Sequence, residues 1–122
     1  MSPRKRDRSW PPADAVVPLA APVTDNHTHL PVAADAGGPG SEAPLSAAEL
    51  VERAAAVGVT RVVTSACEVT TWQESLALAR ELPGVRVALA VHPNEAVLHA
   101  GVRETGPDGL EPRAQEHHAE PL

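Results

Sequence analysis

"SAAELVERAAAVGVTRVVTSA", residues 46–66, decides the fold class. Ser46 is followed three residues later by Glu49, the spacing of a capping box, in which each side chain satisfies the other's free backbone N–H. Leu50, Val51, Ala54, Ala55 and Val57 then recur as one apolar stripe at helical period. Gly58 stands where a left-handed C-terminal cap belongs. The β-branched run 59–66 follows at once and reads as a buried strand.

The same alternation extends in both directions. Downstream, Thr71 and Glu74 repeat the capping-box spacing, and Trp72, Leu76, Ala79 and Leu82 share a helical face. Pro83-Gly84 ends that helix, and "VRVALAV" (85–91) reads as a further strand. Upstream, the short Val23–His27 segment reads as a buried strand, and "PVAADAGGPGSEAP" (31–44) as an aperiodic loop. Residues 23–91 therefore read strand–helix–strand–helix–strand. Crossover helices of this length imply parallel strands with right-handed connections.

The rest of the chain carries less order. Residues 1–15 read as a disordered basic leader containing "RKRDR", residues 16–100 as the folded part, and residues 101–122 as a polar, disordered tail. A signal peptide is disfavoured, because Pro11, Pro12, Pro18 and Pro22 break any helix and Asp14 interrupts the apolar run. With no Phe or Tyr and two Trp, the core must come from Val, Leu and Ala, which bury less area per residue than aromatics.

Bulk charge and cysteine content narrow the function. A net charge of −6 argues against whole-surface attraction to nucleic acid, though not against an enzyme that reaches it through metal ions. The single cysteine excludes a disulfide framework and suits a reducing, cytoplasmic setting. No apolar run approaches the roughly 20 residues of a membrane span. Dinucleotide, phosphate-loop, serine-elbow and zincin motifs are all missing.

In a parallel βα array, ligands bind beyond the carboxyl ends of the strands. "DNHTH", "SACE" and "HPNE" all fall there. Residues i and i+2 of a strand share a face, so His27 and His29 can aim two imidazoles at one metal ion. Asp25 is expected on the same side, orienting a histidine from behind. His92, before Pro93, reads either as a donor to an anionic substrate or as a solvent-facing strand end. Asn94 and Glu95 read as ordinary loop polar residues beside it. Cys67 reads as a small buried thiol with no base beside it, and Glu68 as a further candidate ligand. His99 carries no signal, and His117-His118 read as tail residues.

"VTDNHTHL", "AAAVGVTRVV" and "VALAVHPNEA", in this order and spacing, resemble the start of TatD-family metal-dependent hydrolases. The resemblance covers about residues 16–98. It implies the first three βα units of a (β/α)₈ barrel, the TIM barrel of the amidohydrolase superfamily, and a metal-dependent deoxyribonuclease as parent activity. His27 and His29 match the first-strand metal ligands, and His92 matches the histidine placed near the substrate phosphate. Pro31 departs from the pattern, where the family often has an acid.

The implied cofactor is a pair of divalent ions, Zn, Mn or Mg, and the implied substrate is DNA or another phosphodiester. The family's bridging Glu, two later histidines and a late Asp are expected downstream of the matching segments. Glu104 in "RETGPDG" only loosely echoes the motif that carries the bridging Glu. A complete barrel needs about 250 residues. The chain is therefore expected to be a truncated portion, inactive alone, with an open sheet prone to self-association. Its alternatives are a fragment of another amidohydrolase or PHP-type phosphoesterase, and a non-catalytic, weakly metal-binding remnant.

Overall fold

The computed structural model describes residues 16–32, 45–107 and 109–122. The basic leader at 1–15 and most of the expected 31–44 loop lie outside the described residues. The fold is α/β. Strand β1 (Val23–Thr28), helix α1 (Ala47–Ala56), β2 (Val59–Ala66), α2 (Trp72–Glu81), β3 (Val85–Leu89) and α3 (Pro93–His99) follow in order. The strands form one parallel sheet in the order β1-β2-β3.

Helix α1 begins as its sequence dictates. Glu49 N–H donates to Ser46 Oγ at 3.3 Å, and Ser46 N–H donates to Glu49 Oε2 at 2.8 Å. Gly58 takes φ +97° and turns the chain into β2. The second expected capping box does not form. Thr71 sits at φ −103°, ψ −2°, and not in the extended conformation a side-chain cap requires. A 3-10 turn over Val69–Thr71 runs straight into α2, and the Thr71 hydroxyl instead donates back to the Glu68 carbonyl at 2.9 Å.

One face of the sheet is covered. Leu30, Ala47, Val62 and Val85 form the buried core, against which Leu50, Val51, Val59, Leu78, Ala79 and Leu82 pack. Val62 pairs with Val85, Thr64 with Val87 and Ala66 with Leu89, so these residues share a face. The alternate residues Arg61, Val63, Ser65, Arg86 and Ala88 point the other way, and Arg61, Arg86 and Ala88 are exposed. Val62 therefore has its partners within this chain. It belongs under the helices, and the opposite face carries Arg61, Ser65, Arg86 and Ala88 beside Val63.

Two expectations are corrected. Val23–His27 was read as a buried strand, but β1 is exposed along almost its whole length. It is an edge strand among the described residues, paired in the sheet with β2 alone. The polar tail, read as disorder, is irregular over most of its length but winds into a 3-10 turn at Glu116–Ala119. There His118 is only 3 % exposed. Burial of one tail histidine against a partner on α3 overrides the polar composition.

Candidate functional site

β1 carries a bulge that decides which way its histidines face. Asp25 pairs with Val62 and Thr28 with Thr64, so the β1 segment between these pairs is one residue longer than its β2 counterpart. The extra residue breaks simple alternation. Thr28 follows the covered face with Thr64, while His27 and His29 flank it on the other side of the strand. Asp25 is thereby taken off the histidines' side, where it was expected. Its Oδ1 accepts the backbone N–H of His27 at 3.0 Å, so it braces the bulge and does not meet an imidazole.

His29 is held on both sides. Leu30 N–H donates to the buried Thr64 Oγ1 at 3.0 Å, pinning the chain just after it to β2. His29 Nδ1 lies 3.0 Å from the Ser65 carbonyl. A carbonyl only accepts, so Nδ1 carries the proton and the Nε2 lone pair is left for a ligand. The His27 and His29 rings stand 5.2 Å apart, nearly perpendicular at 78°. Cys67 Sγ is 4.0 Å from His29 Nδ1 and 3.8 Å from the Ser65 carbonyl, and its thiol is free.

His92 has the opposite tautomer. It caps α3, with Nδ1 accepting Asn94 N–H at 3.2 Å, so the proton of the neutral ring sits on Nε2. His92 N–H donates to the Cys67 carbonyl at 2.9 Å, which ties the end of β3 to the end of β2. A cleft of about 300 Å³ opens at these strand ends, and His29, Cys67, Glu68, His92, Asn94 and Glu95 line it. His27 and Glu104 are not among its lining residues. Glu104 sits in an exposed bend.

The tail closes one side of this region. His118 Nδ1 accepts Gln115 N–H at 2.8 Å, so its Nε2 proton points at Glu95 Oε2, 2.7 Å away. His99, His117 and His118 cluster beside that bond, with ring centroids 3.9–5.9 Å apart. Neither His99 nor the tail was legible as a site. One local signal was available: Pro93 at the first helical position after a capping residue marks the start of α3, which places Glu95 and His99 one turn apart on one face.

The His118 hydrogen bond holds the Glu95 carboxyl below its ordinary value of 4.5. Burial opposes this, and Glu68 together with the charges of His118 and His117 adds to it. A carboxylate whose folded pKa is depressed stabilises the fold above its unfolded pKa, and that stability is lost as pH falls through the folded value. Glu95→Gln should therefore flatten the loss of melting temperature on acidification below about pH 4.5, measured without metal in EDTA. An acid limb as steep in the variant as in wild type would assign the loss to other carboxylates.

Among the described residues no helix is long and apolar enough to cross a membrane. The family described as TatD related DNase matches residues 24–118, most of the chain and all but the last residue of the tail turn. Neither the curated proteins nor the solved structures contain a match to it.

Proposed function

The chain belongs to the TatD-related DNase family, and from that premise we propose that it is the N-terminal portion of a TatD-like metal-dependent hydrolase whose parent activity cleaves phosphodiesters in DNA. Its three parallel βα units correspond, in this reading, to the opening of a (β/α)₈ barrel, and the lone Cys67 suits a cytoplasmic setting. The observation that carries the reading is the pair of complementary imidazoles at one cleft. His29 offers an Nε2 lone pair and His92 an Nε2–H, both at the carboxyl ends of parallel strands.

The residues fit a divalent ion. His27 and His29 are adjacent neutral-capable imidazoles, and the Ser65 carbonyl fixes the ring of His29 as a second partner fixes most metal-bound histidines. When bound, such an ion supplies Lewis-acid charge to a phosphoryl oxygen and lowers the pKa of water. His92 would donate Nε2–H to a non-bridging phosphate oxygen. Glu68 and Glu95 give the cleft negative charge, which opposes a polyanion until a cation is present. Asp25 acts one step back, by bracing the bulge that presents His27. The exposed edge of β1 supports self-association of the open sheet.

Two imidazoles leave much of a two-ion shell to be supplied, so the isolated chain is inactive in this reading. Purified protein with Mn²⁺, Mg²⁺ or Zn²⁺ should leave single-stranded DNA intact, and His27→Ala/His29→Ala should remove one bound equivalent of Zn²⁺ in calorimetry. Turnover that His27→Ala abolishes would overturn the inactivity. Undiminished Zn²⁺ binding by the double variant would overturn the role of the pair.

A further inference from the structure

The corner where the tail packs on α3 holds more potential metal ligands than β1 does. Glu68, Glu95 and His117 each offer one donor atom, and these atoms lie within 4.8 Å of one another. His99, His117 and His118 form a second such group, with His117 common to both. Three separate elements converge here: the loop after β2 brings Glu68, one face of α3 brings Glu95 and His99, and the tail turn brings His117 and His118.

A second observation asks for an occupant. His99 Nδ1 and His117 Nε2 are buried and have no hydrogen-bond partner. A buried polar atom left this way costs its full desolvation penalty, so two of them on residues of one cluster need a reason. An imidazole nitrogen without a donor facing it is a lone pair or an unshared N–H, and a shared divalent cation satisfies two lone pairs at once. Two carboxylates and two neutral imidazoles also cancel the charge of a dication. That O₂N₂ set suits four-coordinate zinc-class ions.

We propose that this corner binds one zinc-class divalent cation through Glu68, Glu95 and His117, whose donor atoms lie within 4.8 Å of one another, with His99, grouped with His117 and not with the carboxylates, turning in as the fourth ligand. His118 is the positioning residue. Its Nδ1 is occupied by Gln115 N–H, and its Nε2–H fixes the Glu95 carboxylate from behind, the arrangement by which outer partners orient metal-ligating groups. The site is separate from His27 and His29, which lie on β1 and just past its end and belong to neither group. Because Glu68 and Glu95 also line the cleft, the ion would convert an acidic wall into one able to hold an anion next to His92.

The test uses the full chain and Zn²⁺ or Co²⁺ alone. In wild-type protein, Zn²⁺ should shift the imidazole nitrogen resonances of His99 and His117, and Co²⁺ should give the visible absorption of a four-coordinate site. His99→Ala/His117→Ala should lose that absorption and the equivalent bound at this corner, while His27→Ala/His29→Ala keeps the absorption and this equivalent and loses only the one held by its own pair. His118→Ala should weaken binding about 10–100-fold without abolishing it. Near-UV circular dichroism of Trp72 checks that each variant is folded. Wild-type resonances of His99 and His117 that stay fixed on adding Zn²⁺ would overturn the proposal. So would a His99→Ala/His117→Ala chain that keeps every equivalent of metal, whatever happens at His27 and His29.

Discussion

Gly84→Ala is expected to cost about 3 kcal/mol or more and to leave much of the chain unfolded at room temperature. Gly84 joins α2 to β3 at φ +87°. An L-residue pays about 1–2 kcal/mol for that left-handed backbone alone. The added Cβ would also lie 2.7 Å from the Thr60 carbonyl oxygen, closer than such contacts are found. Thr60 is backbone within β2 and has no flexible end that could swing aside. Moving Gly84 instead would break the bond its carbonyl accepts from Val62 N–H at 3.0 Å. Either escape disrupts the β2–β3 ladder. Thermal melts followed at the peptide band check this, and a variant that melts with wild type would mean that the corner yields freely.

Val85→Ala is the second large effect, about 2 kcal/mol from two lost methyl groups and the space they leave. Val85 is 0 % exposed and is the only fully buried large side chain among the described residues. It touches the centre of a core built from Val, Leu and Ala, where no aromatic ring can lean into the gap. Small domains bury too little surface to absorb such a loss easily. Urea titration should show a lower midpoint with an unchanged slope. A midpoint equal to that of wild type would mean that the neighbours collapse into the space.

The α/β alternation was legible because local signals agreed with one another. Ser46 with Glu49, the apolar stripe, Gly58 and the β-branched run all place α1 and β2 where they are found. What escaped depends on partners far away in the chain. Thr71 has a capping residue's identity but a helical backbone, because a 3-10 turn precedes α2. β1 has the composition of an interior strand, yet burial depends on what covers a strand and not on its own side chains.

The histidines divide in the same way. His27, His29 and His92 sit at strand ends, a position the alternation itself locates. The i, i+2 rule could not foresee the bulge, since the extra residue shows only in the register with β2, nor the bond by which Asp25 Oδ1 accepts the His27 N–H. His118 was hidden for a different reason. Its burial rests on one carboxylate 23 residues away, and a polar tail gives no periodic sign of such a contact.

The exposed edge position of β1 sets a thermodynamic limit on its two imidazoles. Among the described residues this strand buries little and pairs with β2 alone, where Thr28 is matched to the distant Thr64. Elements of that kind open at the low end of the free-energy scale, well before the core does. An ion held by both histidines stabilises only the docked population. Its measured affinity is then the intrinsic affinity of the pair scaled by the fraction of molecules in which β1 is docked. A neighbour on the outer edge of β1 would raise that fraction and tighten metal binding without touching either histidine.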